Sequence, residues 1–375
     1  MTIDVANLPL NYIQPFLPEN IGLTGSSLTG ALTLSGTSSG KWSAETNRPF
    51  SLNRLSMELD GEPVLERVSA SIHFSASQGE PAEGITFKIP GLTIESETNT
   101  LLALLQFDGV VASASKPVDG KFSVQANLAR LMAQPILKPY KNLLNGTARL
   151  ESQVSVDTSG KVDATGKLEL EALRLVQPAR ALNGATIGFS VSGSPSTTDG
   201  LHLNLPIAIR GAKATAVTLD ATLRQKADTL EWEADLSGNS LSVDDVQALI
   251  AAFQNPVPEN AVTAAAPKPE KPANQPDQAP FWAGYSGHGN IQLGRLFVAD
   301  RTLEAVSGKV VMDKRQLLVQ SLTGTLEGAP AKATAAFVFD PARPQTPYDF
   351  SASLNMAPVP LERLIASGNR RPPAT

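Results

Sequence analysis

Cysteine is missing altogether from this 375-residue chain. Its absence excludes disulfide frameworks, thiolate metal sites and cysteine nucleophiles together, and leaves either redox compartment open. Aromatic residues make up only 5% of the chain, so any core must lean on Leu, Val, Ile and Ala. Charged residues are 18%, below the roughly 25% usual for soluble proteins. The formal charge of −5, the pI near 5.4 and the lack of any basic cluster interleaved with aromatics argue against a nucleic-acid partner, because such binding needs basic surface to displace counterions. Long apolar runs are missing too. "TNTLLALLQF" and "VQALIAAF" are the most apolar stretches, far short of the ~18–20 residues that cross a bilayer as a helix. No charged segment leading into an apolar one follows Met1, so no signal peptide is expected. The chain opens on "TIDVANLPL", which reads as the end of a strand and suggests a piece of something longer.

Catalytic groups are equally scarce. Of the three histidines, His73 and His202 fall on the polar phase of strands, and His288 lies among glycines in "GYSGHGN". None has a metal-ligand partner two or four residues away. Asp244 and Asp245 follow Ser242 at a helix start, where carboxylates favour the helix dipole and free N–H groups. "GYSGHG" resembles a nucleophile elbow only superficially, since it follows a proline-rich stretch rather than a strand. Phosphate-binding loops are missing. The chain is therefore expected to be no enzyme, with no cofactor and no metal.

What is present is alternation. Period-two apolar runs include Val68/Ala70/Ile72/Phe74, Ile85/Phe87/Ile89 and Leu201/Leu203/Leu205/Ile207/Ile209. Others are Val217/Leu219/Ala221/Leu223, Leu230/Trp232/Ala234/Leu236, Ala333/Ala335/Phe337/Phe339 and Tyr348/Phe350/Ala352/Leu354. Polar residues such as Ser69, Ser71, His73 and Ser75 fill the other phase. One dry face and one wet face mark an antiparallel sheet. Turn signals such as "LDGEP", "TSSGK" and "DTSGK" separate the runs. The spacing predicts a mainly β fold: a long antiparallel array of about sixteen strands, curled into a groove, with a few short capping helices.

Residues 255–280, "NPVPENAVTAAAPKPEKPANQPDQAP", hold seven prolines and cannot bury enough apolar surface to offset ordering entropy. They are expected to form a disordered linker between a body over 1–254 and a last β segment over 281–375. Along the chain the period changes recurrently. "KFSVQANLARLMAQPIL" runs from strand spacing into helical spacing at Asn127. "WEADLSGNSLSVDDVQALI", "DFSASLNMAPVPLERLI" and the opening "IDVANLPLNYIQPFL" do likewise around Asn239, Asn355 and Asn7. Short helices are expected near 9–17, 128–140 and 242–254, with another closing the chain. Their apolar residues Leu131, Met132, Ile136, Val246, Leu249 and Ile250 need a surface to cover. A strand-rich unit punctuated by a helix reads as an array of stacked repeats.

The Asn-Leu helix unit followed by "LTGSSLTGALTLSG", and the closing run from Gly289 to Ile365 with its "LTGTLEG" turn, resemble the AsmA-like proteins of the bacterial envelope, relatives of the TamB-like translocation and assembly proteins. The resemblance implies a repeating β-groove with an apolar lining. It implies residence in the periplasm, tethered to the inner membrane through an N-terminal segment that this chain does not include. Phospholipid, components of the inner and outer membranes and outer-membrane β-barrel proteins are the partners it implies.

The physical requirement agrees with that shape. An acyl chain costs about 0.8 kcal/mol per CH₂ to expose to water, so a sixteen-carbon tail meets a barrier on the order of 12 kcal/mol. A continuous apolar trough removes most of it without any reactive group. The expected lining comprises Phe122, Val124, Leu201, Leu203, Leu205, Ile207, Ile209, Val217, Leu219, Leu223, Leu230, Trp232, Phe337, Phe339 and Phe350. Trp282, just after the linker, is placed at an interface or a groove mouth. Two other readings fit the same alternation: a scaffold that assists outer-membrane proteins by strand addition, and a surface array whose apolar face is a filled core.

Overall fold

The computed structural model describes residues 1–12, 20–24, 27–79, 84–98, 100–111, 118–135, 143–176, 181–194, 196–227, 229–253, 282–343 and 347–358, with 15, 18 and 280 singly besides. The proline-rich stretch, apart from Pro280, and the segment expected to form the closing helix lie outside these residues. Two compact units are present: Met1–Ser192 with Ala248–Pro256, and Gly193–Gln247 with Val257–Thr375.

The fold is mainly β, as the alternation requires, with open antiparallel ladders rather than a closed barrel. Eleven strands span the first part: β1 (Thr2–Pro9), β2 (Ile21–Thr24), β3 (Ser27–Gly36), β4 (Trp42–Leu59), β5 (Glu62–Gln78), β6 (Ile85–Glu95), β7 (Leu101–Val111), β8 (Val118–Asn127), β9 (Leu143–Val156), β10 (Val162–Leu175) and β11 (Ala181–Gly193). Each strand from β4 to β9 pairs antiparallel with the next. On the other side of β4 lies β3, which carries β1 in turn, while β2 pairs with the far end of β4. The second unit holds β12 (Leu201–Arg210), β13 (Thr215–Lys226), β14 (Thr229–Ser242), β15 (Tyr285–Val298), β16 (Arg301–Met312), β17 (Gln316–Leu326), β18 (Ala329–Phe339) and β19 (Tyr348–Met356), paired in chain order. The total is nineteen against the expected sixteen or so. One reason is that the run "GLTGSSLTGALTLSG" divides into β2 and β3.

Hairpin chemistry closes the ladders. At Asp60–Gly61 and at Glu327–Gly328 two successive residues take positive φ, 53° and 79° in the first turn and 52° and 80° in the second. This is the twist-matched turn that joins adjacent right-twisted strands, and glycine meets half its demand without strain. In "DTSGK" the Asp157 carboxylate accepts hydrogen bonds from Ser159 Oγ at 2.6 Å, Ser159 N–H at 2.8 Å and Lys161 N–H at 2.9 Å. Those bonds, with the Ser159 hydroxyl foremost, hold its pKa below the ordinary value of 3.8.

Among the described pairings, one departs from the antiparallel rule. β15 runs parallel to β14, from Leu230 opposite Tyr285 to Ser242 opposite Phe297. A parallel neighbour requires a crossover back along the strand, and the connection here begins with helix α2 (Val243–Ala252). Helix α1 (Leu128–Leu131) instead joins β8 to an antiparallel β9. It is one turn, not the longer helix expected over 128–140. The Ala133 and Gln134 amides reach back only three residues, to Arg130 and Leu131, and Pro135 has no N–H to continue. At the chain start a 3-10 turn over Leu10–Tyr12 stands where a helix near 9–17 was expected; most of 13–19 lies outside the described residues.

The four asparagines hold different posts. Asn127 is a true cap, its Oδ1 accepting from Arg130 N–H at 3.2 Å. Asn239 lies within β14, and the cap of α2 is Ser242, whose Oγ accepts from Asp245 N–H at 3.2 Å. Asn7 sits at a bulge in β1 with φ of 52°, and Asn355 pairs with Lys332 inside β19.

Candidate functional site

In the second unit the register turns separate apolar runs into rows that cross eight strands. One row reads Leu205, Leu219, Leu236, Ile291, Gly308, Leu322, Ala333 and Leu354. The next, toward the β12 N-terminus, reads Leu203, Ala221, Ala234, Gly289, Val310, Val319, Ala335 and Ala352. A third runs from Leu201 through Leu223, Trp232, Gly287, Met312, Leu317 and Phe337 to Phe350. None of these positions carries a polar side chain. With strands ~4.8 Å apart, eight of them extend a row over roughly 34 Å. On the opposite face stand Asn204, Asp220, Asp235, Asn290, Lys309 and Ser321 in one row. There Asn204 donates to Asp220, and Asn290 Nδ2 donates to Asp235 at 2.8 Å.

Most of the apolar row residues are half-buried, neither sealed nor free. Fully buried side chains collect toward the ends of the strands. Val217, Leu293 and Val306 form a core with Ile207, Leu241 and Leu296 against it. Ile209 is 1% exposed, and nearby Ser242 N–H donates to Thr215 Oγ1 at 2.9 Å. At the other end Trp282 is 1% exposed, its ring 5.4 Å from Phe337 and 6.1 Å from Tyr348. Phe337 and Tyr348 themselves stack at 5.3 Å with an 8° interplanar angle.

The first unit repeats the pattern with different side chains. A row crosses seven strands through Phe50, Ile72, Leu92, Leu105, Val124, Leu150 and Leu168. Beside it runs a ladder of rings, Phe50–Phe74–Phe87–Phe107, with successive centroids 6.3, 6.1 and 6.2 Å apart. Phe122 pairs with Phe107 across β7 and β8. Glycines make room for these rings. A Cβ on Gly120 would stand 2.8 Å from the Phe107 ring, one on Gly30 would strike Phe50, and one on Gly166 would strike Phe189. Here too the rings are half-buried. The sealed residues Val68, Leu102, Leu128, Met132, Leu143 and Leu173 gather at the strand ends near α1, which lies against β7, β8 and β9.

Of the expected lining, Phe122, Val124, Leu201, Leu203, Leu205, Ile207, Leu219, Leu223, Leu230, Trp232 and Phe337 are half-buried on the apolar face. Ile209, Val217 and Phe339 are buried among their neighbours and offer no surface to a ligand. Phe350 lies at the last strand and is 70% exposed. The sequence reading passed over the Phe50–Phe107 ladder and its glycines. Period-two phase marks each Phe, but their alignment depends on register across three hairpins. Ile250, expected to be covered, is 51% exposed; Ile136 lies outside the described residues.

The polar candidates sit in structural surroundings. His202 Nδ1 meets Thr222 Oγ1 at 3.0 Å, and His288 Nε2 lies 3.5 Å from Glu233 across the β14–β15 pair. Asp245, 1% exposed, accepts from Lys213 N–H at 3.2 Å at the start of α2. Among the described residues no group of three or more His, Asp or Glu is placed to hold a metal, and no helix is long and apolar enough to cross a membrane. Comparison with protein-family models, curated proteins and solved structures finds no match for the chain.

Proposed function

We propose that this is a non-enzymatic protein of the bacterial envelope, AsmA-like in character, whose apolar β surface carries or shields phospholipid acyl chains between the inner and outer membranes from a periplasmic position. The observation that carries the reading is the set of uninterrupted apolar rows whose mid-strand residues stay half-buried in both units. A filled core would close over those positions as it does over Val217, Leu293 and Val306. Each lipid tail spans about 15 Å, half a bilayer's hydrocarbon core, so a row of the length given above accommodates it lying along the sheet. Movement along such rows trades one apolar contact for another and needs neither nucleophile nor metal.

The test is photo-crosslinking in envelopes. A photoreactive residue replacing Leu205 or Leu236 on the apolar face should attach to phospholipid, detected by mass spectrometry. The same residue replacing Thr218 or Gln292 on the polar face should not. Equal labelling of both faces, or lipid-free protein throughout, would end the proposal. A second reading, a scaffold assisting outer-membrane β-barrel assembly by strand addition, is favoured by the open ladders, which keep edges that a barrel abolishes. Crosslinks from an edge strand to a folding barrel protein would support it.

A further inference from the structure

Among the described residues, the last strand of the second unit has no neighbour on its outer edge. Phe350 and Leu354 of β19 are 70% and 73% exposed, whereas their row partners Phe337 and Ala333 on β18 are half-buried. Natural edge strands are usually blunted by lysine, proline or a bulge. Tyr348–Met356 has no lysine and no proline, and it pairs with β18 without a register shift.

The backbone parity of that edge is readable from its two ends. Asp340 N–H donates to Pro347 O at 2.7 Å, and Ala357 N–H donates to Pro330 O at 3.0 Å. Hydrogen-bonded and non-bonded pairs alternate along an antiparallel ladder. The odd-numbered residues of β19 therefore bond to β18, and Phe350, Ala352 and Leu354 turn their N–H and C=O outward. These same residues carry the exposed apolar side chains.

We infer that β19 pairs antiparallel with β19 of a second copy of this chain, about a two-fold axis through Ala352. In that register Ala352 faces Ala352, Phe350 faces Leu354 and Tyr348 faces Met356, all on the apolar face. The three central pairs all have outward backbone groups and exchange two hydrogen bonds each. On the other face Asp349 meets Asn355, so the strand's only charge is not set against its own copy. The contact is self-complementary, as a closed two-fold dimer requires. The inference rests on the edge alone and does not depend on the lipid reading.

The experiment is sedimentation of the full chain over a concentration series, with three variants. The chain should pass from its 39.5 kDa monomer to a dimer, with half-association at roughly 1–100 µM, as suits an interface at the small end of the size range. Ala352→Pro removes an outward N–H without touching the β18 ladder, and should weaken association at least about tenfold. Leu354→Lys should act likewise. Because the chain has no cysteine, Ala352→Cys should give a disulfide-linked dimer on oxidation. A monomer at every concentration, or a dimer that survives both Ala352→Pro and Leu354→Lys, overturns the inference.

Discussion

The two units solve one problem with different side chains. The first lines its sheet with a ladder of phenyl rings laid over glycines; the second uses rows of Leu, Ile, Val and Ala with one indole, Trp232, over Gly287 and Gly289. In both, a large side chain is offset by a missing Cβ on a neighbouring strand, so the volume above the sheet stays even. The difference lies in where the packing is tight. Rings resting on glycine leave no spare room beneath them, since a Cβ on Gly109 or Gly120 would meet Phe107, whereas the rows through Leu205 and Leu203 hold only small and medium side chains. The second unit concentrates its aromatic packing at one end, where Trp282 covers Phe337 and Tyr348.

That contrast breaks most visibly at Trp282. Trp282→Ala should lower unfolding free energy by about 3 kcal/mol or more, read by chemical denaturation, because a fully buried ring is lost. Gly109→Val follows in the first unit. Its Cβ would lie 2.6 Å from the Gly120 Cα and 2.9 Å from the Phe107 ring, and the overpacking should cost about 2–3 kcal/mol. The matching change in an aliphatic row, Ala335→Val, should cost under about 1 kcal/mol; equal losses at the two positions would erase the distinction.

Phe74→Ala sharpens the comparison further. A sealed Phe loses about 3–5 kcal/mol on truncation, but a half-open ladder ring should lose about half as much. A full-sized loss would mean that the face is closed in solution. Ser242→Ala should cost about 1 kcal/mol, and Asn239→Ala next to nothing, since only the serine caps α2. The smallest effect is at Asp157. Its acidity is strengthened in the folded chain, so its contribution to stability is complete above pH 3.8 and fades as pH falls below that toward the folded value. Carboxyl chemical shifts followed from pH 6 to 2 should place its midpoint below the ordinary 3.8, unless the turn is absent in solution.

Much of the sheet was legible beforehand, for reasons that particular residues make plain. Leu201 through Ile209 alternate without exception, and every one of those positions occupies the apolar phase of β12. "LDGEP" announced its turn because two successive left-handed residues are tolerated where Asp precedes Gly. The candidate lining was legible as a phase but not as a surface. Nothing local separates Ile207, half-buried, from Ile209, which is sealed. The difference comes from distance along the strand to the covered end. Asn239 misled for a related reason, since a strand can carry Asn on its wet face as readily as a helix can start on one.

Alternation alone determined that this chain builds strands with one dry face and one wet face, because side chains on a pleated backbone point to opposite sides in turn. The partners of those strands were decided only in three dimensions. That β15 lies parallel to β14, that four phenylalanines from β4 to β7 align into a ladder, and that Trp282 closes over Phe337 are all contacts between residues far apart in the chain. Their free energy comes from mutual packing, and no short stretch of sequence contains it.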